Sequence, residues 1–138
     1  MVCILCDSET RVINSRSSKK EPSVWRRRKC IGCRVVFTSR EKPDLEGIIR
    51  IESPLGSLKP FCRDKLLISL HRSLSHRKSP PDDASELTDT IIFKLLHNKK
   101  HTSVISKQEI IDVSEKTLKN FDMAAYTHYH AHHKSTTN

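Results

Sequence analysis

Two C-x-x-C pairs, Cys3-Ile4-Leu5-Cys6 and Cys30-Ile31-Gly32-Cys33, stand twenty-three residues apart near the start of a 138-residue chain. No other feature limits the fold so strongly. Zn²⁺ takes four thiolates tetrahedrally, and each C-x-x-C bends back so that both sulfurs reach one ion. Metal binding then supplies folding free energy to a segment too short for a large core. The spacing predicts a zinc ribbon with Cys3, Cys6, Cys30 and Cys33 as ligands to one Zn²⁺ per chain. Such knuckles favour φ > 0 just after the second cysteine. Asp7 and Arg34 occupy those positions. Asp tolerates that conformation better than Arg, so strain is expected at the second turn.

Two disulfides are the competing use of four cysteines, and they need an oxidising compartment. Met1-Val2 runs straight into Cys3 with no signal-peptide pattern, and a fifth cysteine, Cys62, stands apart from the pairs. Both features favour a reducing cytoplasm. No run approaches the about 18 apolar residues of a membrane helix, so no membrane partner is expected.

The formal net charge is +9, which calls for an acidic partner, most simply nucleic acid. Residues 1–47 hold eleven Lys/Arg against six Asp/Glu, and residues 48–138 hold fourteen against ten. Four thiolates plus Zn²⁺ subtract about 2, so the loaded ribbon is basic through local clustering. That cluster is Trp25-Arg26-Arg27-Arg28-Lys29, directly before Cys30. Side chains alternate along a strand, so at most two of the three arginines share a face. Arg11 and Arg16 lie on the neighbouring segment. A guanidinium can hold two phosphate oxygens or the O6 and N7 of guanine, so these five arginines are the candidate contacts to double-stranded DNA. A solvated surface strand is the plainer alternative.

The pattern along the chain is α+β. Arg11–Asn14, Val24–Lys29 and Val35–Thr38 read as ribbon strands, with Ser15–Ser23 as a polar turn and Arg40–Asp44 as a connector. A second domain is expected over 48–138. Ile48–Ile51 and Leu58–Phe61 read as a hairpin around the Ser53-Pro54-Leu55-Gly56 turn. Leu66, Leu70 and Leu74 recur every four residues, predicting a helix over 63–77. Ser79-Pro80-Pro81 ends it, and Asp82 or Asp83 can cap a second helix carrying Leu87, Ile91 and Leu95. Asn98-Lys99-Lys100 closes that helix with cations at its negative end. Val104-Ile105 is extended. Ser106-Lys107-Gln108-Glu109 is a capping box for a helix over 107–120, and Asp122 caps a fourth from Met123 to Lys134. Ser135–Asn138 reads as a frayed tail.

These residues carry a resemblance. Cys3-x-x-Cys6, Thr10 to Arg16, Val24 to Cys33, Phe37-Thr38 and Glu41 resemble the N-terminal domain of the NrdR family, bacterial repressors of ribonucleotide reductase genes. Ile48-Ile49-Arg50, Gly56, Lys59-Pro60-Phe61, Lys65-Leu66, Val104 to Ile110 and Asp122 to Tyr126 resemble an ATP-cone, the nucleotide-sensing module of that family. The resemblance implies a non-enzymatic, cytoplasmic and nucleoid-associated repressor that forms a homo-oligomer. ATP or dATP in the cone would alter its oligomeric state and DNA binding. Arg50, Lys65 and Lys134 are implied at the nucleotide phosphates. There are departures. Asn14 replaces an Asp, Trp25 replaces an Arg, and Lys59 replaces an acid that the resemblance places near the sugar or base. A zinc-ribbon adaptor with a cone that no longer binds nucleotide, and an RNA-binding ribbon, are the competing functions.

Other chemistry is thin. No G-x-x-x-x-G-K-[ST] loop and no nucleophile–base spacing occurs. His128 and His132 are i, i+4 on a helix and could chelate, and His130 and His133 accompany them. A polar helix face explains all four as well. Cys62 opens a helix and reads as a small packing residue.

Overall fold

β-branched and cationic residues are frequent in the N-terminal third, and much of it is extended. The computed structural model describes residues 1–19, 21–98 and 102–134. Thr10–Ser17 (β1), Val24–Cys30 (β2) and Val36–Glu41 (β3) form an antiparallel sheet in the order β1-β2-β3. Two strands outrun the sequence reading. β1 continues through Ser17, which shortens the expected Ser15–Ser23 turn. β3 takes in Arg40 and Glu41, which the sequence reads as connector. The cause is pairing: Ser17 and Glu41 both lie opposite Val24, so the outer strands extend as far as the central one. Between Val12 and Asn14 the register shifts, a β-bulge at Ile13.

Compact units span Met1–Asp44 and Leu45–Asn138, three residues before the 47/48 boundary expected from sequence. The difference is the short helix α1 (Leu45–Ile48), whose Leu45 packs against the core of the second unit. β4 (Arg50–Glu52) pairs antiparallel with β5 (Leu58–Pro60) and parallel with β6 (Val104–Ser106). Gly56 takes the φ of +78° that its turn demands.

Helices α2 (Arg63–Ser73), α3 (Pro80–Asn98), α4 (Lys107–Phe121) and α5 (Met123–Lys134) follow. The predicted stripes are buried: Leu66, Leu70 and Leu74 from α2 and its C-cap, and Leu87, Ile91 and Leu95 from α3. α2 ends at Ser73 instead of 77, because Leu74 leaves helical geometry and Arg77 is drawn to Asp83 and Asp122. α3 begins at Pro80, so Asp82 and Asp83 lie inside its first turn and do not precede it. Proline suits that position, since its missing N–H has no intrahelical partner there. The Ser106 hydroxyl accepts from the Glu109 N–H at 3.1 Å, and Asp122 Oδ1 accepts from the Ala124 and Ala125 N–H groups at 2.9 and 3.0 Å. Both predicted caps are present. Lys99 and Lys100, read as closing α3, and the Ser135–Asn138 tail lie outside the described residues. Among the described residues, no helix is long and apolar enough to cross a membrane.

Candidate metal centre, nucleic-acid interface and nucleotide unit

Each knuckle turns through one residue with positive φ, at the two positions the sequence singled out: Asp7 at 55° and Arg34 at 67°. The Asp7 N–H donates to the Cys3 carbonyl at 3.1 Å, and the Cys30 N–H donates to the Val35 carbonyl at 2.9 Å. The Ile31 N–H donates to the Glu9 carbonyl at 3.0 Å, tying one knuckle to the other. Gly32 lets them approach closely: a Cβ there would lie 2.6 Å from the Ser8 hydroxyl oxygen.

The result is one cluster of four sulfurs. Cys3 and Cys33 Sγ are 3.6 Å apart, Cys6 and Cys30 Sγ are 3.5 Å apart, and all four lie within 4.8 Å of one another. A disulfide needs about 2.05 Å, and all five cysteines are free. Tetrahedral Zn–S bonds of about 2.3 Å place sulfurs about 3.8 Å apart, so the spacing fits that ion. Ser8, through its hydroxyl and then its backbone N–H, pushes the Cys6 thiol down to about 6. Cys33 moves up to about 12: the Val35 N–H lowers it, but hydrogen bonding with Cys6, Cys3 and Cys30 and desolvation raise it more. A bound cation takes such sulfurs as thiolates and releases their protons. Cys3 and Cys30 are buried, whereas Cys6 and Cys33 are exposed.

The same sheet sorts the arginines. Directly opposite residues share a face. One face carries Arg26 and Arg28. The Arg26 guanidinium pairs with both Glu41 oxygens at 2.8 and 3.1 Å, and Arg28 Nε donates to the Ser39 hydroxyl at 3.0 Å. The other face carries three rows across the strands: Arg16, Trp25, Arg40; Asn14, Arg27, Thr38; and Arg11, Lys29, Val36. Arg16 lies 5.6 Å from the Trp25 ring centre, a cation–π contact. Three of the five expected arginines therefore share a face and two do not. Lys29 and Arg40 join the three. The sequence reading passed over both, although plain alternation from Arg27 reaches Lys29.

In the second unit, Arg50 lies on β4 opposite Pro60, and its Nη1 donates to the Glu46 carbonyl at 2.9 Å. Lys65 is exposed on the first turns of α2, and Lys134 is the last residue of α5. Ser69 Oγ and His133 Nε2, 3.1 Å apart, hold the end of α5 against α2 one turn beyond Lys65. On α2 Lys65 precedes Ser69 by one turn, and on α5 Lys134 directly follows His133. An apolar hollow is walled by Leu45, Ile49, Phe61, Ile92, Leu95, Leu96 and Ile105. Burial pushes the Tyr129 phenol up and the His133 imidazole down. His130 meets Glu115 at 2.8 Å, and His76 meets Asp122 at 3.1 Å. His128 and His132 are exposed and form no metal-ligating group of three with other described residues. Cys62 is the half-buried N-cap of α2 and makes no capping bond with its side chain.

Residues 1–41 match the family described as "Transcriptional repressor NrdR-like, N-terminal domain". Residues 50–135 match the ATP cone domain. The chain belongs to the NrdR family. Among relatives named "Transcriptional repressor NrdR", that of Finegoldia magna is 31% identical over 130 residues, covering 94% of this chain and 85% of the relative. Those of Symbiobacterium thermophilum and Dictyoglomus turgidum are 30% and 32% identical, each over 94% of this chain, with 84% and 85% of the relative covered. The NrdR family is one of regulators and not of enzymes. Membership agrees with both modules read from the residues, in the expected order. A metal site in the ribbon and a nucleotide-binding module after it follow from the family and the cysteine cluster together.

Proposed function

We propose that this chain is a Zn²⁺-dependent transcriptional repressor whose ribbon binds double-stranded DNA and whose cone binds adenine nucleotide. Nucleotide occupancy sets the homo-oligomeric state and so the spacing of the ribbons presented to DNA. The observation that carries the reading is a cluster of four cysteine sulfurs at the end of a cationic sheet, in a chain that also has an ATP-cone. Arg11, Arg16 and Arg27 are proposed contacts to DNA. Arg50, Lys65 and Lys134 are proposed contacts to nucleotide phosphates. Ribonucleotide reductase genes are the proposed targets, and the protein works in the cytoplasm, on the nucleoid when DNA-bound. Control by nucleotide requires that it bind the assemblies unequally.

Lys59, exposed on the edge strand β5, stands where the family places an acid. Phosphate affinity depends chiefly on cations and survives this change. Sugar selection depends on placed acceptors, and one is missing. ATP and dATP are therefore expected to bind with less than a tenfold difference, about 1.4 kcal/mol. The same substitution favours a second reading, an adaptor whose cone no longer binds nucleotide. Calorimetry with both nucleotides on wild type and Lys65→Ala, with gel filtration in parallel, decides. Binding weakened by Lys65→Ala and a nucleotide-dependent size support the repressor. No binding of either nucleotide favours the adaptor.

A further inference from the structure

The geometry points to one face of the ribbon sheet as the DNA-contacting surface, with Lys29 and Arg40 as contacts, and to Arg26 and Arg28 as braces of the sheet. This rests on the DNA-binding reading above and makes it specific. The five cations Arg11, Arg16, Arg27, Lys29 and Arg40 share that face through the register. The bulge is what collects them. Arg11 and Arg16 are five apart, an odd separation that puts them on opposite faces of a regular strand. One inserted residue between Val12 and Asn14 returns them to the same side.

No acid lies in the three rows of that face. Among the described residues, none of the five forms an ion pair or donates a side-chain hydrogen bond. Four of them are exposed, and Lys29 is half-buried. The acid whose charge is felt by Arg40 is Glu21, which Lys42 holds at 3.0 Å. On the opposite face the arrangement is reversed. Arg26 is held by Glu41 and by the Ser15 hydroxyl at 3.3 Å, and Arg28 by Ser39. A guanidinium already clamped on a carboxylate must break that pair before it can hold a phosphate.

Dimensions favour a duplex. Trp25 to Lys29 spans about 13 Å along the strand, and three strands span about 10 Å across. Along about 13 Å of axis, double-stranded DNA carries roughly eight phosphate charges. Five cations on one face offset more than half of that charge. Asn14 and Thr38 flank Arg27 in the middle row and offer neutral hydrogen-bonding groups to the same phosphates.

The test measures binding of the zinc-loaded full chain to a mixed-sequence DNA duplex as salt is varied. Arg27→Gln/Arg40→Gln should reduce the slope of log K against log salt by about 2, near 1 per lost phosphate contact. Arg26→Gln/Arg28→Gln should leave the slope unchanged. Zinc content and the amide spectrum of the ribbon report folding. If the second pair unfolds it, Arg28→Gln alone, which removes one hydrogen bond, takes its place. An unchanged slope in the first variant, or an equal loss in the second, overturns the assignment of faces. Tighter binding to RNA of the same sequence overturns duplex DNA as the partner. Wild-type protein without salt-dependent binding sinks the DNA reading itself.

Discussion

Gly32→Ala should weaken metal binding although residue 32 is not a ligand. The added Cβ would lie 2.6 Å from Ser8 Oγ, 3.0 Å from Ser8 Cβ and 3.7 Å from Cys6 Sγ. Carbon contacts are comfortable at about 3.5–4.0 Å. A rotamer change moves the Ser8 hydroxyl away but leaves its Cβ in place, so the backbone of one knuckle must shift. Ser8 also supports the first knuckle: its carbonyl accepts from the Cys3 N–H at 2.8 Å, and its hydroxyl lies 3.4 Å from the Cys6 sulfur. Relief of the clash therefore moves a ligand. Overpacking of this kind costs about 1–3 kcal/mol, which corresponds to about five- to 150-fold in zinc affinity. Competition against a chromophoric chelator at fixed pH measures it. Ser8→Gly in the same background removes both clashing atoms and should recover part of the loss. Wild-type affinity in Gly32→Ala refutes the reasoning, because the knuckles would then not need so close an approach.

Cys30→Ser removes a buried ligand, so metal analysis should find substoichiometric zinc and the spectrum of residues 1–44 should collapse while the second unit stays folded. A full zinc complement with an unchanged ribbon spectrum would contradict this. Asp122 caps α5 and pairs with Arg77 at 3.0 Å and His76 at 3.1 Å. Asp122→Ala should cost about 1 kcal/mol through the lost cap, read as a melting shift of about 4–8 °C for a unit of this size. The carboxyl of Asp122 is held well below its usual range, first by the Ala125 N–H and next by His76. Its contribution is therefore complete above about pH 4, the unfolded value, and is lost as pH falls towards the lower folded value. Asp122→Asn, which keeps a capping oxygen, should flatten that acid dependence with a smaller loss at pH 7. An equal loss in both variants would show that charge and not capping carries the effect.

Much of this protein was readable one short segment at a time. The clustering of the four cysteines is legible because two knuckles of fixed spacing need only local turns, and the positive φ at Asp7 and Arg34 lies where the motif places it. The leucine stripe of α2, the Ser106 cap and the Asp122 cap are likewise local: a period of four, or an oxygen reaching an N–H two or three residues on. Helix boundaries at residues 74 and 80 were missed because Arg77 bonds to Asp122, forty-five residues away, and because two prolines can open a helix as well as end one.

The placement of the cations is of another kind. Composition and spacing determine that the ribbon is basic, and the resemblance to a family determines what it binds in outline. Which arginines face outward together does not follow from the string, because side-chain parity along a strand reverses at every inserted residue. The bulge at Ile13 is set by how β1 must meet β2. The clamp on Arg26 exists only because β3 runs on to Glu41. The parallel pairing of β6 with β4 joins segments fifty-four residues apart, Arg50 opposite Val104. Local patterns specify each of these strands, but only the folded chain decides its neighbours, since pairing energy is gained between segments and never within one.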